Sequence, residues 1–129
     1  MTVQLNHTIV WCRDQALSAG FLTDILGLPP ARRFLHFLIV DLANGVSMDY
    51  YATTEPIVTQ HYAFLVSDAE FDAALARVKK RELTYWADPA RTQANEINTY
   101  GGGRGFYFFD PDKHLLEVIT KPYPISPGP

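Results

Sequence analysis

The stretch Gly102-Gly103-Arg104-Gly105-Phe106-Tyr107-Phe108-Phe109-Asp110-Pro111-Asp112-Lys113-His114-Leu115-Leu116-Glu117 decides how this chain is read. Its aromatic first half is β-prone, and Asp110-Pro111-Asp112 is turn chemistry, since Pro presets φ and Asp bonds its own backbone. A strand over 104–109, a turn, and a strand over 114–121 follow. Glu117 is the anomaly. It stands in Leu115-Leu116-Glu117-Val118-Ile119, apolar on both faces, where an unpaired buried carboxylate is costly. It needs a cation, and no Lys or Arg lies among its neighbours at 115–119.

Working outward, the rest of the chain is written twice. Val3 to Trp11 reads as a strand, and Asp14 opens a helix with Leu17, Phe21 and Ile25 at four-residue spacing, ending at Gly27. Arg33–Leu42 reads as a strand, Ala43-Asn44-Gly45 as a turn, Val46–Ala52 as a strand, and 53–59 as a linker. The pattern restarts with a strand over His61–Val66 and a helix from Asp68 to about Glu82, opened by the capping pair Ser67 and Glu70. Leu83–Ala87 is a further strand candidate. An offset of 54 residues places His7 on His61, Asp14 on Asp68, Leu17 on Phe71 and Phe21 on Leu75. The last strands match at an offset of 69, which sets Met48 against Glu117. The second copy therefore carries about fifteen extra residues, placed around Asp88–Gly103, and a long loop in a small domain is usually functional. The expected fold is α+β: one domain over 1–129, made of a module at 3–52 and a module at 60–121, with an irregular Pro-rich tail at 122–129.

Length and composition narrow the function. The 129 residues carry 47 % hydrophobic and 13 % aromatic side chains, enough for one packed domain and against disorder. A net charge of −3 gives no cationic footprint for nucleic acid or an anionic membrane. No apolar run approaches the ~20 residues of a membrane span, and MTVQLNHTIV lacks the basic start of a secretory signal. The lone Cys12 excludes an intrachain disulfide and a Cys-based zinc framework, so a cytoplasmic setting is expected.

Alternation puts His7, Ile9 and Trp11 on one strand face, and His61, Ala63 and Leu65 on another. Each His by itself reads as a hydrogen-bonded core residue, and Glu117 by itself reads as the partner of a distant Arg such as Arg104. The coincidence lifts a metal to equal standing with these readings. Two imidazoles at equivalent places in a repeat, with one carboxylate, make a three-ligand site with positions open to substrate.

A duplicated βαβββ unit with His7 in its first strand, His61 opening the second copy and Glu117 near the end resembles the vicinal oxygen chelate superfamily. That superfamily includes glyoxalases, extradiol dioxygenases, and fosfomycin and bleomycin resistance proteins. The stretch 102–117 is similar to its C-terminal hallmark, a glycine-led strand turning through Asp-Pro-Asp-Gly into the carboxylate strand. The resemblance covers residues 3–121. It implies half-barrel modules closing around a central metal cleft, in one chain or across a homodimer. It also implies one divalent ion (Fe, Mn, Ni or Zn) on His7, His61 and Glu117, and a small-molecule substrate with adjacent oxygens.

Departures from the relatives refine this expectation. Met48 falls where glyoxalase I has a fourth ligand, and a thioether suits a hard ion poorly, which disfavours that activity. Tyr107, Asp110, Pro111 and Glu117 fit the extradiol pattern. Its His window, however, holds Asn98, Thr99 and Tyr100, so orthodox catechol cleavage loses its acid–base residue. Tyr107 is the catalytic candidate, as a hydrogen-bond partner of a reacting oxygen. Trp11, Met48, Tyr50, Tyr100 and Arg104 are candidates for substrate binding. The expected function is a metal-dependent dioxygenase- or lyase-like enzyme. A drug-sequestering resistance protein and a fosfomycin-resistance-like transferase are the alternatives.

Overall fold

The structure is a computed structural model that describes residues 1–125, so the end of the expected irregular tail, 126–129, lies outside the described residues. The described residues divide into two compact units, one of 1–59 with 110–113, the other of 60–109 with 114–125. Module one runs β1 (His7–Cys12), α1 (Gln15–Leu26), β2 (Arg32–Phe34), β3 (Phe37–Asp41) and β4 (Ser47–Ala52). Module two runs β5 (His61–Leu65), α2 (Asp68–Lys80), β6 (Tyr85–Trp86), β7 (Gly105–Phe109) and β8 (Leu115–Ile119), with a 3₁₀ turn at Tyr100–Gly102. The sheets have the orders β1-β4-β3-β2 and β5-β8-β7-β6. In each the first strand runs parallel to the last, and the remaining pairs are antiparallel. This is the α+β fold expected, two tandem βαβββ modules. No helix among the described residues is long and apolar enough to cross a membrane.

Both helices start and stop on local signals. Asp14 caps α1 by accepting from the Leu17 backbone, and Ser67 and Glu70 form a reciprocal capping box on α2. α1 ends at Gly27, whose φ of 65° suits the left-handed cap, with Leu28 N–H bonded back to the Thr23 carbonyl at 2.9 Å. α2 ends on the same motif, but Glu82 takes the left-handed place at φ 57°, with Leu83 N–H 3.1 Å from the Val78 carbonyl.

The helix faces build the cores. Phe21, Leu22 and Ile25 of α1 are buried, as are Val10, Cys12, Val40, Met48 and Tyr50 of the module-one sheet. In module two Phe71 of α2 and Tyr85 of β6 meet the Phe106 ring edge-on, at 5.2 and 5.9 Å.

Four expectations are corrected. Leu17 is 59 % exposed, and Ser18 takes the buried place, donating to Asp112 Oδ2 at 2.8 Å. The strand expected over Arg33–Leu42 is a hairpin, broken at Leu35 (φ 52°) and His36 into β2 and β3. The candidate strand at Leu83–Ala87 is only two residues long, and β1 starts at His7 rather than Val3.

Candidate functional site

The parallel pairing of β5 with β8 sets His61 opposite Leu115 and Ala63 opposite Glu117, so both polar side chains emerge on one sheet face. β7 then sets Tyr107 directly opposite Glu117. Glu117 is 2 % exposed, and its Oε1 lies 3.0 Å from Nε2 of His61. The other imidazole nitrogen, Nδ1, is 2.8 Å from the Leu115 carbonyl oxygen. A carbonyl only accepts, so Nδ1 carries a proton, and in the neutral ring Nε2 turns its lone pair towards a carboxylate oxygen. Two acceptors at that distance require a cation between them, a proton or a metal ion.

Two phenols close the other side. Tyr123 donates to Glu117 Oε2, and the Tyr107 and Tyr123 hydroxyls are 3.4 Å apart. The Tyr107 ring lies stacked near His61, with centroids 5.9 Å apart. Burial, then the bonds to Tyr123 and Glu117, push the Tyr107 phenol well above its ordinary range. Burial and the Glu117 carboxylate push Tyr123 up as well. Both phenols are therefore neutral donors at ordinary pH. Tyr123 was missed by sequence reasoning because it sits in the irregular tail, where no periodicity assigns it a face.

Arg104 does not pair with Glu117. Its guanidinium binds Asp72 at 2.7 Å and Asp68 at 3.0 Å, and lies 4.3 Å from the Phe71 ring, all on α2. Tyr100 is 44 % exposed, and its ring centroid lies 6.4 Å from that of Tyr123. Asn98, in the window where the extradiol pattern has its His, is buried and structural. Its side-chain amide donates to the Ala87 carbonyl at 2.7 Å, and its backbone bridges to Gly105. Further along the loop, Asp88 accepts from Thr92 and Gln93 backbone N–H groups at 3.0 and 2.9 Å.

Module one repeats the arrangement with different residues. β1 and β4 pair His7 with Ser47 and Ile9 with Asp49. Asp49 thus stands to His7 as Glu117 stands to His61. The offset of 69 that set Met48 against Glu117 is therefore one residue too long, and the offset across these strands is 68. A one-residue slip moves a side chain to the other sheet face. Met48 (4 % exposed) and Tyr50 (2 %) face the core instead of sharing the His7 face, and Asp49 is the residue the misalignment concealed. Met48 therefore does not occupy the place equivalent to Glu117, and has no bearing on a fourth ligand. Asp49 accepts from Ser47 Oγ at 2.7 Å, and His7 Nδ1 lies 2.7 Å from Asn6 Oδ1. Trp11 shares the His7 face, half-exposed, with its ring 5.3 Å from Tyr51. A concavity of about 460 Å³ in this module is lined by His7, Asp49, Ile9, Phe34, Phe37 and Ile39 among others.

His61, Glu117 and Tyr107 thus come together, joined by Tyr123. Among the described residues no group of three or more His, Cys, Asp or Glu stands ready to hold a metal ion.

The comparisons with known proteins agree with the fold. The model of the Glyoxalase/Bleomycin resistance protein/Dioxygenase superfamily matches residues 4–118. The solved structure of oxidase ChaP-H2 is 52 % identical with a TM-score of 0.93, over 96 % of this chain and 98 % of that one. Oxidase ChaP-H1 is 49 % identical with a TM-score of 0.94, over 96 % of this chain and all of that one. Glutathione transferase FosA of Serratia marcescens is 29 % identical over 92 % of this chain and 81 % of its own length. The chain belongs to the glyoxalase/bleomycin resistance protein/dioxygenase superfamily.

Proposed function

We propose that this protein is a cytoplasmic, divalent-metal-dependent oxidase, working as a homodimer on a small, partly aromatic substrate with adjacent oxygens. The observation that carries the reading is the gap between His61 Nε2 and Glu117 Oε1, where two acceptors face each other at 3.0 Å and one nitrogen is already committed. Two relatives about half identical to this chain and bearing the name oxidase support the reaction class. The donor set, imidazole and carboxylate, suits Fe, Mn, Ni or Zn. His61 and Glu117 would hold the ion, with His7, from the same chain or from the second copy of a homodimer, as the third ligand. Once bound, the ion supplies a Lewis acid for substrate oxygens and, if redox-active, a partner for dioxygen.

The chain's own residues do the rest. Tyr107, kept neutral by burial, donates a hydrogen bond at the face it shares with Glu117. Phe34, Phe37, Ile9 and Ile39 offer an apolar wall for an aromatic ring, and Asp49 puts a carboxylate proton acceptor beside it. Arg104, engaged by two aspartates, is not available to a phosphonate, which favours oxidation over a fosfomycin-type transfer.

Elemental analysis of protein purified without chelator tests this, with His61→Ala and Glu117→Ala beside the wild type. The expected result is stoichiometric metal in the wild type alone, and oxygen uptake with ortho-dihydroxy aromatic compounds. A wild type that is metal-free after incubation with each of the four ions overturns the reading.

A further inference from the structure

The C-terminal segment after β8 returns to the site. Its Tyr123 hydroxyl donates to Oε2 of Glu117, while Oε1 of the same carboxylate faces His61 Nε2 at 3.0 Å. The two oxygens are thus divided, one held by the phenol and the other aimed at the imidazole. The segment has a dedicated seat. Gly101 sits at φ 66°, and a Cβ there would come within 3.1 Å of Pro124 Cδ and 3.5 Å of the Pro122 carbonyl oxygen. The Tyr100 ring, from the same turn, lies beside that of Tyr123. The Tyr107 hydroxyl, 3.4 Å from that of Tyr123, extends the chain of phenols.

We infer that Tyr123 is a positioning residue for Glu117: it retains Oε2, so that the carboxylate offers the single oxygen Oε1 to a metal ion shared with His61. The inference rests on the metal reading above and deepens it. A carboxylate free to rotate samples one-oxygen and two-oxygen binding and loses orientational freedom when a metal arrives. The phenol removes that freedom beforehand, in the way second-shell donors orient ligands at metal sites. The Pro residues on both sides of Tyr123 restrict the backbone that delivers it. Gly101 supplies both the left-handed turn and the space in which that backbone rests.

The test is Mn²⁺ binding to the full-length protein by competition with a chromophoric chelator, for wild type, Tyr123→Phe and Gly101→Ala. Phe keeps the ring and removes only the hydroxyl. Ala keeps the hydroxyl and displaces its seat. Both are expected to weaken Mn²⁺ binding, Tyr123→Phe by about 10–100-fold, the usual cost of losing an outer-shell partner. Infrared difference spectra of Mn²⁺-loaded against metal-free protein, with Glu117→Gln to assign the band, supply a second readout. The wild-type Glu117 carboxylate should show the wide splitting of one-oxygen ligation, and Tyr123→Phe should narrow it. Mn²⁺ affinity in Tyr123→Phe equal to or tighter than wild type, with an unchanged Glu117 band, overturns the inference alone. A wild type that binds no Mn²⁺, Fe²⁺, Ni²⁺ or Zn²⁺ overturns it together with the metal reading.

Discussion

Nε2 of His61 and Oε1 of Glu117 lie 3.0 Å apart, on a residue pair of which one member is almost fully buried. Removing one partner of such a pair should not be neutral. Glu117→Gln keeps the volume but removes the anion. The expected outcome is loss of stoichiometric metal by elemental analysis, with a folded protein by circular dichroism. His61→Ala should lose metal equally, because the remaining carboxylate has no imidazole beside it.

Asp49 and Met48 separate the two alignments of the module-one strand. If Asp49 faces the substrate concavity, Asp49→Asn should lower kcat/KM by roughly 10²-fold, the scale of a lost acid–base group. Met48→Leu should leave kcat/KM within a few-fold and cost less than about 1.5 kcal/mol in urea unfolding, as volume-conserving core swaps do. The opposite pattern would restore the discarded alignment.

The Cys12 thiol is pushed up to about 11, chiefly by burial and then by Asp112, Asp110 and Asp14. At pH 8 the native thiolate is therefore scarce, and iodoacetamide should label Cys12 only after unfolding. The linkage has a definite sign. Between the ordinary thiol value of 9.0 and about 11, the unfolded chain has lost a proton that the folded chain keeps. Stability should fall as pH rises through that window, and Cys12→Ala should flatten the slope of the urea midpoint against pH.

Glu82 occupies at φ 57° the place that Gly27 fills in the first helix. Left-handed backbone costs a residue with a Cβ about 1–2 kcal/mol. Glu82→Gly should stabilise the protein by about 1 kcal/mol in urea denaturation, despite glycine's greater freedom in the unfolded chain.

Arg104 binds Asp68 and Asp72 and covers the Phe71 ring. Arg104→Gln should lower the thermal midpoint slightly and leave metal content and kcat/KM unchanged. A large rise in KM would return Arg104 to the substrate.

The repeat was legible because it rests on periodicity and capping chemistry, which act locally: Ser67 and Glu70 cap α2 as their spacing predicts. Glu117 was legible because a carboxylate amid Leu116 and Val118 breaks an apolar pattern. Asp49 was not. Its neighbours Ser47, Met48 and Tyr50 form no uniformly apolar run, so register alone reveals it, and register is a property of two strands. Nor could periodicity see the Leu35-His36 turn, since no Gly or Pro marks it and Leu35 adopts φ 52° under the pull of β2 pairing with β3. Ser18 owes its burial to Asp112, 94 residues away.

The Asp88–Gly103 stretch fastens itself, through the Asp88 side chain, the Asn95 bond to Tyr85 and the Asn98 bonds to Ala87 and Gly105. None of these bonds uses His61, Glu117 or Tyr107. Its outer part, residues 89–97, is therefore a graftable cassette, whereas Tyr100 and Gly101 belong to the seat of Tyr123. Doubling a loop's length adds only about 0.6 kcal/mol of closure cost. Residues 89–97 can be randomised or exchanged while the ligand-bearing strands keep their register. Diversification of this scaffold toward new small molecules has an address that leaves its chemistry intact.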